Sequence, residues 1–414
     1  MIENVRLDDL ITLQRGFDIT EKEQTVGCVP VISSGGVSSY HNEFKVKGPG
    51  VVIGRKGTLG KVFFTKENYW PHDTSLWVKD FKGNDPKFIF YLLQVLHFEK
   101  FDAGAANPTL NRNHVHSLKL KVPHKEYRSR IASILSVYDD LIENNMQRIK
   151  LLEEMAEEIY KEWFVRLRFP GYETTRFFDE EGLEVPLGTV GALPNGWRKK
   201  RIDDFSSFKM SSAKLKKFNG GKTYLATADV FGIDISGIGE IIDWENKPSR
   251  AQLVPELNSV FFARMSNTYK VLLFCEANKE LINELALTSG FLGLNAKNEN
   301  TLPFLFLLIK SATFHNYKDV YANGATQVSL TNEGFHMIKL VEPNQTIIED
   351  YGKITLPFLN EIVILSKKNQ ILQNTRDLLL PRLISGKLSV EHLAGDENEF
   401  LKAVEQRVEY PNKK

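Results

Sequence analysis

The sequence predicts a mixed α/β fold, with two tandem α/β domains separated by two long helices that pack as an antiparallel coiled coil. Three observations predict it. Ile131, Leu135, Tyr138, Ile142, Asn145, Ile149, Leu152, Ala156, Ile159 and Trp163 alternate four and three apart, the seam of a helix built to pack lengthwise on another. The same alternation returns at Ile348, Tyr351, Thr355, Phe358, Ile362, Leu365, Asn369, Leu372, Arg376, Leu379 and Leu383. Finally, the segment before each seam carries the same landmarks in the same order, which marks an internal duplication.

Residues 1–123 read as the first domain, made of short strands punctuated by Gly and Pro. Val5 to Leu10 opens it, and Val29 to Ile32 and Val51 to Arg55 follow as strands before the turns at Ser33-Ser34-Gly35-Gly36 and Lys56-Gly57-Thr58. Phe88 to Leu96 reads as a buried helix, Asn107 to His114 as a polar loop, and Leu118 to Pro123 as a last strand. Residues 124–168 form the first spacer helix, whose seam is about 50 Å long at ~1.5 Å per residue. Residues 169–197 are a linker in which Pro170, Gly171, Pro194 and Gly196 stop regular structure. The second domain spans 198–343, and the second spacer helix 344–386, where Pro381 is expected to kink the helix and Gly386 to end it. A charged tail, 387–414, completes the chain.

The landmarks recur in one order, each matching without an internal gap. Arg201-Ile202-Asp203-Asp204-Phe205 answers Arg6-Leu7-Asp8-Asp9-Leu10, and Val260 to Arg264 with Lys270 answers Val51 to Arg55 with Lys61. Phe304-Leu305-Phe306 answers Phe88-Ile89-Phe90, and Gly324 to Pro343 answers Gly104 to Pro123. If the helices pair antiparallel, Ile142 meets Leu372, Ile149 meets Leu365 and Leu135 meets Leu379. Asn145 then faces Asn369, a buried amide pair that costs stability and fixes register.

Composition narrows the function. With 42% hydrophobic and 25% charged residues the chain is globular, and the absence of an apolar signal core or a long apolar window predicts a cytoplasmic protein without a membrane partner. Cys28 and Cys275, remote from each other and from any His cluster, are expected as free thiols with no metal. A net charge of +1 argues against a histone-like DNA binder. Regionally, however, 1–123 carries 16 basic against 13 acidic residues and 198–343 carries 18 against 15, whereas 124–167 carries 7 against 9, so nucleic-acid contact is permitted at the two domains.

No catalytic motif survives inspection. Gly220-Gly221-Lys222-Thr223 has Lys216 where a phosphate-binding loop needs glycine, and Gly237-Ile238-Gly239 has Ile242 at the third glycine position of a dinucleotide fingerprint. Asn107-Pro108-Thr109-Leu110 lacks the second proline and the aromatic of an amino-methyltransferase tetrapeptide. His114 and His116 are read on a strand without the spacing of a metal-ligand pair, and a single histidine touching phosphate or solvent is expected there. No catalytic residue is assigned, and a binding role gains weight.

The last helix, reading Thr375-Arg376-Asp377-Leu378-Leu379-Leu380-Pro381-Arg382-Leu383-Ile384-Ser385-Gly386-Lys387-Leu388, closely resembles that of the specificity subunits of type I restriction-modification systems. The run from Leu151 to Phe164 and the entry Leu193-Pro194-Asn195-Gly196-Trp197 fit the same family. The resemblance implies a non-catalytic DNA-recognition subunit. Its two target recognition domains would each read half of a bipartite site in double-stranded DNA, at a separation set by the helices. It also implies two methyltransferase subunits using S-adenosylmethionine and two motor-nuclease restriction subunits using ATP and Mg, with no cofactor of the chain's own. Glu153, Glu154, Glu157, Glu158 and Glu162 would offer the partners an acidic helix face. A scaffold of another DNA-modification or phage-defence assembly, or an orphan subunit, would use the same sequence. A catalytic DNA methyltransferase or nuclease and a purely structural coiled-coil adaptor are the remaining rivals.

A bipartite reader needs Lys and Arg for phosphates and polar loop residues for base edges. Candidates in the first domain are Ser33, Ser34, Arg55, Lys56, Thr58, Lys61, Asn107, Thr109, Asn111 and Arg112. In the second they are Lys216, Lys217, Lys222, Arg264, Ser266, Asn267, Thr268, Lys270, Gln327, Ser329 and Asn332. The repeated pairs Arg55/Arg264 and Lys61/Lys270 suit shared backbone contacts, because a position kept in both domains cannot encode two different half-sites.

Overall fold

The computed structural model describes residues 2–101, 109–232, 234–235, 239–324 and 328–390. They fall into two compact units, residues 1–144 with 368–414 and residues 145–367.

In the first unit the elements are β1 (Ile2–Arg6), α1 (Leu7–Leu10), β2 (Thr12–Arg15), β3 (Val29–Ser33), β4 (Gly36–His41), β5 (Gly50–Gly54), β6 (Val62–Thr65), β7 (Trp70–Pro71) and β8 (Ser75–Asp80). After these come α2 (Pro86–Gln94), α3 (Arg112–His116), β9 (Lys119–Pro123) and the start of α4 (Lys125–Tyr160). The expected opening strand stops at Arg6, because the Asp9 carboxylate accepts the Arg6 N–H at 2.8 Å and turns the chain into α1. An antiparallel sheet runs β2-β8-β5-β6. Every residue of β5 is buried, so it takes a central position. A second sheet places β3 between antiparallel β4 and parallel β7, and β1 pairs with β9. Asp85 caps α2, accepting from the N–H groups of Lys87 and Phe88, and Phe88, Ile89, Leu92 and Leu93 enter the core with Val51, Ile53, Leu76 and Val78.

That core also takes Ile131 and Leu135 from α4 and Leu380, Leu383 and Ile384 from the last helix. Further along α4, Tyr138 and Ile142 pack with Leu372, and Asp139 accepts from Arg376 Nη1 at 2.5 Å and from the Tyr91 hydroxyl.

In the second unit, α4 ends in a widened turn at Lys161–Val165, where the Arg166 N–H reaches Lys161 O at 2.8 Å. A small sheet of β10 (Phe177–Phe178), β11 (Glu184–Val185) and β12 (Leu193–Pro194) fills the linker. The domain proper has β13 (Arg198–Arg201), β14 (Phe208–Met210), β15 (Lys222–Leu225), β16 (Val230–Phe231), β17 (Asp234–Ile235), β18 (Glu240–Ile242), β19 (Ala251–Leu253), β20 (Ser259–Ala263) and β21 (Val271–Phe274). It continues with α5 (Glu280–Glu284), β22 (Leu285–Thr288), β23 (Phe291–Ala296), α6 (Leu302–Lys310), α7 (Ala312–Val320), β24 (Ala322–Asn323), β25 (Ser329–Leu330), α8 (Asn332–Met337), β26 (Lys339–Glu342) and α9 (Gln345–Ile384).

The duplication read from the landmarks is repeated in the pairing. The sheet β14-β23-β20-β21 copies β2-β8-β5-β6, β15 lies between antiparallel β18 and parallel β22 as β3 lies between β4 and β7, and β13 pairs with β26 as β1 does with β9. Several connections differ, with β19 and α5 added in the second unit. The turn at Ser34 and Gly35 joins β3 to β4, whereas residues 226–239, carrying the β16-β17 hairpin, join β15 to β18.

Within this unit, Tyr160, Trp163 and Phe164 of α4 form an aromatic cluster with Tyr351 of α9, and Phe304 of α6 joins it at ring-centroid distances of 4.9 Å from Phe164 and 6.2 Å from Tyr160. The Tyr351 hydroxyl donates to Ala156 O at 3.1 Å, and Arg148 meets Glu361 at 3.0 Å. In each unit, therefore, contacts that climb α4 descend α9. No residue of either seam is exposed, and Asn145 and Asn369 are 9% and 8% accessible. Helix α9 continues unbroken through Pro357 and Pro381 and stops at Ile384, just before the expected Gly386. Among the described residues no helix is long and apolar enough to cross a membrane, and both cysteines are free.

Candidate nucleic-acid interface

In the first unit three candidate loops meet at Thr74. Its hydroxyl accepts the Ser34 N–H at 3.3 Å, and its carbonyl accepts the N–H groups of Arg55 and Lys56, both at 3.0 Å. The Arg55 carbonyl in turn accepts the Leu110 N–H at 2.9 Å, and Lys56 pairs with Thr109 as an isolated bridge. Only glycine fits at position 54, since a Cβ there would lie 2.1 Å from Thr58 O and 2.8 Å from Ser34 O. Lys56, Thr58, Lys61, Thr109 and Arg112 are exposed around this node. Ser33 closes its own turn, with its hydroxyl donating to Gly36 O at 3.1 Å, and Asn111 caps α3 by accepting the Asn113 N–H at 2.9 Å. Asn107 lies outside the described residues.

The strand expected at the histidines is corrected here, while His114 alone of the two is exposed to solvent. Residues 112–116 form a helix and not a strand, and His116 Nε2 accepts the Leu13 N–H at 2.9 Å. Burial lowers its pKa, with the Arg112 charge adding to the effect, so the ring is a neutral internal acceptor.

The second unit rebuilds the node. The Leu330 N–H reaches Arg264 O at 2.8 Å, Met265 bridges Ser329 as Lys56 bridges Thr109, and Thr331 caps α8 as Asn111 caps α3. The arginines are held differently. Arg55 Nη1 donates once, to Asp73 O at 3.3 Å, whereas the Arg264 guanidinium donates to Phe291 O at 3.1 Å, Leu330 O at 3.0 Å and Asn332 Oδ1 at 2.8 Å. Burial lowers the pKa of Arg264, and its bonds to Phe291 O and Leu330 O tie its loop to two strands, with Asn332 taking the third at the surface. We expect Arg264→Ala to destabilise the second unit by about 2–3 kcal/mol, because two carbonyls lose charged donors. Arg264→Lys should fail to restore it, since an ammonium cannot span the fork. Arg55→Ala should leave stability nearly unchanged and act on DNA affinity, weakening it by ~1–3 kcal/mol at a base or flattening the salt slope by ~1 at a phosphate. Thermal melts and salt-dependent titrations separate these outcomes.

The loop beyond Arg264 is held by a pair that no sequence pattern marked. Lys318, fully buried on α7, donates to Met265 O at 3.0 Å and Thr268 O at 2.7 Å. Asp319 accepts from Ser266 Oγ at 3.0 Å and from the Asn267 N–H at 3.1 Å, and Asn267 has a left-handed φ of 54°. The Thr268 hydroxyl donates to Ser266 O at 3.3 Å, and Lys270 Nζ donates to Thr227 O at 2.6 Å. An exposed Arg250 sits alongside, its Nη2 3.5 Å from where a Cβ on Gly290 would be, and Gly290 O accepts the Arg264 N–H.

Lys216, Lys217 and Lys222 do not join this node. Lys222 donates to Asn283 O at the start of β15, five residues or ~16 Å of extended chain from Thr227. Lys216 and Lys217 are exposed on the preceding loop, and Gln327 lies outside the described residues.

Beside Lys318, His315 is 5% accessible, and burial reinforced by the Lys318 charge lowers its pKa to about 4. The unfolded chain, titrating near 6.5, therefore takes up this proton first as pH falls. Stability should be lost from pH ~6.5 down to ~4, on the order of 2–3 kcal/mol from this group. His315→Phe should remove that part of the acid dependence, which melts of both proteins across the range would measure.

The acidic face expected on α4 is internally matched. Glu153 pairs with Lys310 at 2.8 Å, Glu154 with Lys150 at 3.7 Å, Glu157 with Lys161 at 2.6 Å, and Glu158 and Glu162 with Arg166 at 2.5 Å. Among the described residues, Asp18, His72 and Asp73 bring ligand atoms within 4.8 Å of one another, but Arg15 bonds Asp73 at 2.6 Å and already supplies positive charge there.

A family model described as the type I restriction modification DNA specificity domain matches residues 2–154. The chain is 24% identical over 323 residues to the type I restriction enzyme MjaIX specificity subunit of Methanocaldococcus jannaschii, which covers 74% of this chain and 70% of that protein. It is 24% identical over 365 residues to the HindI specificity subunit of Haemophilus influenzae, covering 73% and 77%. In fold it is similar to the crystallised S subunit of a type I restriction-modification system from M. genitalium, with a TM-score of 0.59 at 16% identity over 93% of this chain and 96% of that one. The kinship expected from the duplicated domains and their helices therefore holds: residues 2–154 match the type I restriction modification DNA specificity domain, and the chain is similar to type I specificity subunits.

Proposed function

We propose that the chain is the DNA-recognition subunit of a type I restriction-modification complex, reading a bipartite target with its two α/β domains as target recognition domains. One observation carries this reading. The same loop node is built twice, on two sheets of the same strand order, while the side chains around it differ, with Lys56 at the bridge in one unit and Met265 in the other. Shared architecture with unshared contacts is what two readers of different half-sites require. The exposed Lys56, Lys61, Arg112 and Arg250 supply the phosphate-facing charge.

On this reading α4 and α9 are the antiparallel spacer that sets the distance between the half-sites, and Asn145 and Asn369 set its register. Two methyltransferase subunits, using S-adenosylmethionine, dock on the spacer and modify adenines, and two restriction subunits supply ATP- and Mg-dependent cleavage in the cytoplasm. The chain itself performs no chemistry and needs no cofactor. Mapping modified adenines in DNA from cells carrying this subunit with its methyltransferase tests the reading. The expected result is two short words separated by a constant number of unread base pairs, and one uninterrupted word would overturn it.

A further inference from the structure

The excursion between β15 and β18 has no counterpart in the first unit, where the equivalent strands are joined at Ser34 and Gly35. Its described part is anchored at its base. Val230 is fully buried among Leu225, Phe261 and Phe274, Gly232 O accepts the Val271 N–H at 2.8 Å, and Thr227 O accepts from Lys270 Nζ. Strand alternation then sends the next side chain outward, and Phe231 is 78% accessible, the most exposed aromatic residue among those described. It stands beside the end of the 264–270 loop, the loop held by Arg264, Lys318 and Asp319, with exposed Tyr269 two residues before Val271.

The buried Val230 and the Gly232 bond hold the backbone that presents this outward-pointing ring. The hairpin carries Asp229, whose carboxylate accepts the Ala226 N–H, and Asp234 opposite Phe231, while Lys270 lies under it and Arg250 by the neighbouring Gly290 turn; these cations on the face of the recognition loops favour a polyanion with apolar layers over an apolar protein surface. We propose that Phe231 is a wedge that inserts at a base step of the second half-site, unstacking it and adding specificity through the ease with which that step deforms. This rests on the recognition reading above and adds a residue to it.

The test uses the full chain in complex with its methyltransferase subunits. Fluorescence anisotropy follows binding to a duplex carrying the mapped site and to one with the second half scrambled, and 2-aminopurine replaces single adenines in that half. Wild type should prefer the intact duplex and raise 2-aminopurine emission at one step. Phe231→Ala should lose the emission rise and bind roughly tenfold or more weakly, with Phe231→Trp retaining both. Its melting curve should overlay that of wild type, because the ring makes few contacts. Wild-type preference with an unchanged emission rise in Phe231→Ala would overturn the wedge alone. So would Phe231→Ala complexes that shed the methyltransferase, since the ring would then belong to a protein contact. A wild-type complex indifferent to scrambling would overturn the recognition reading, and the wedge with it.

Discussion

Lys318→Met should abolish discrimination at one half-site while sparing the other. The buried ammonium bonds two carbonyls of the loop that holds Ser266, Asn267 and Thr268, and methionine fills similar space without a donor. Met265 O and Thr268 O would lose that donor, at about 1–3 kcal/mol, and the loop would leave its strained turn at Asn267. A loop that must order itself on DNA binds less selectively than one already ordered, so affinity for the intact site should fall by roughly tenfold to a hundredfold. Non-specific binding, driven by exposed cations, should persist. Competition between the intact duplex and duplexes scrambled in each half separately measures this. A Lys318→Met protein that still discriminates both halves would remove the clamp from recognition.

Gly352→Ala should destabilise the second unit, although alanine favours helix by about 1 kcal/mol over glycine. A Cβ at this position in α9 would lie 1.7 Å from Asn300 O and 2.5 Å from Asn300 C, both backbone atoms. No rotamer can relieve that contact, so α9 and the turn at Glu299–Thr301 must separate, disturbing α6 at its first residue and Tyr351 in the aromatic cluster. We expect a net loss of about 1–3 kcal/mol. A melt of Gly352→Ala set against exposed Lys353→Ala checks it, and equal midpoints would mean that the helix yields freely.

Periodicity and repetition made the scaffold legible. A seam at alternating four and three residues needs only the helical repeat to declare itself, and all its positions avoid solvent in the folded chain. Landmarks such as Arg55 with Leu110 and Arg264 with Leu330 survived duplication because backbone hydrogen bonds between them build the node. The fate of each polar side chain was not legible in this way. His116 looked like a strand histidine and is a helical acceptor, and Arg264, read as a phosphate contact, turns three of its five N–H donors to its own domain.

By itself, then, the sequence determined the duplicated α/β plan and the two long helices, since these follow from local spacing and repeated order along the chain. Only the tertiary structure decided which loops meet, through Thr74 in one unit and Lys318 with Asp319 in the other. The same packing set Phe231 outside and Val230 inside. Such outcomes depend on which donors and acceptors remain unmatched once distant segments pack, and linear spacing carries no record of that.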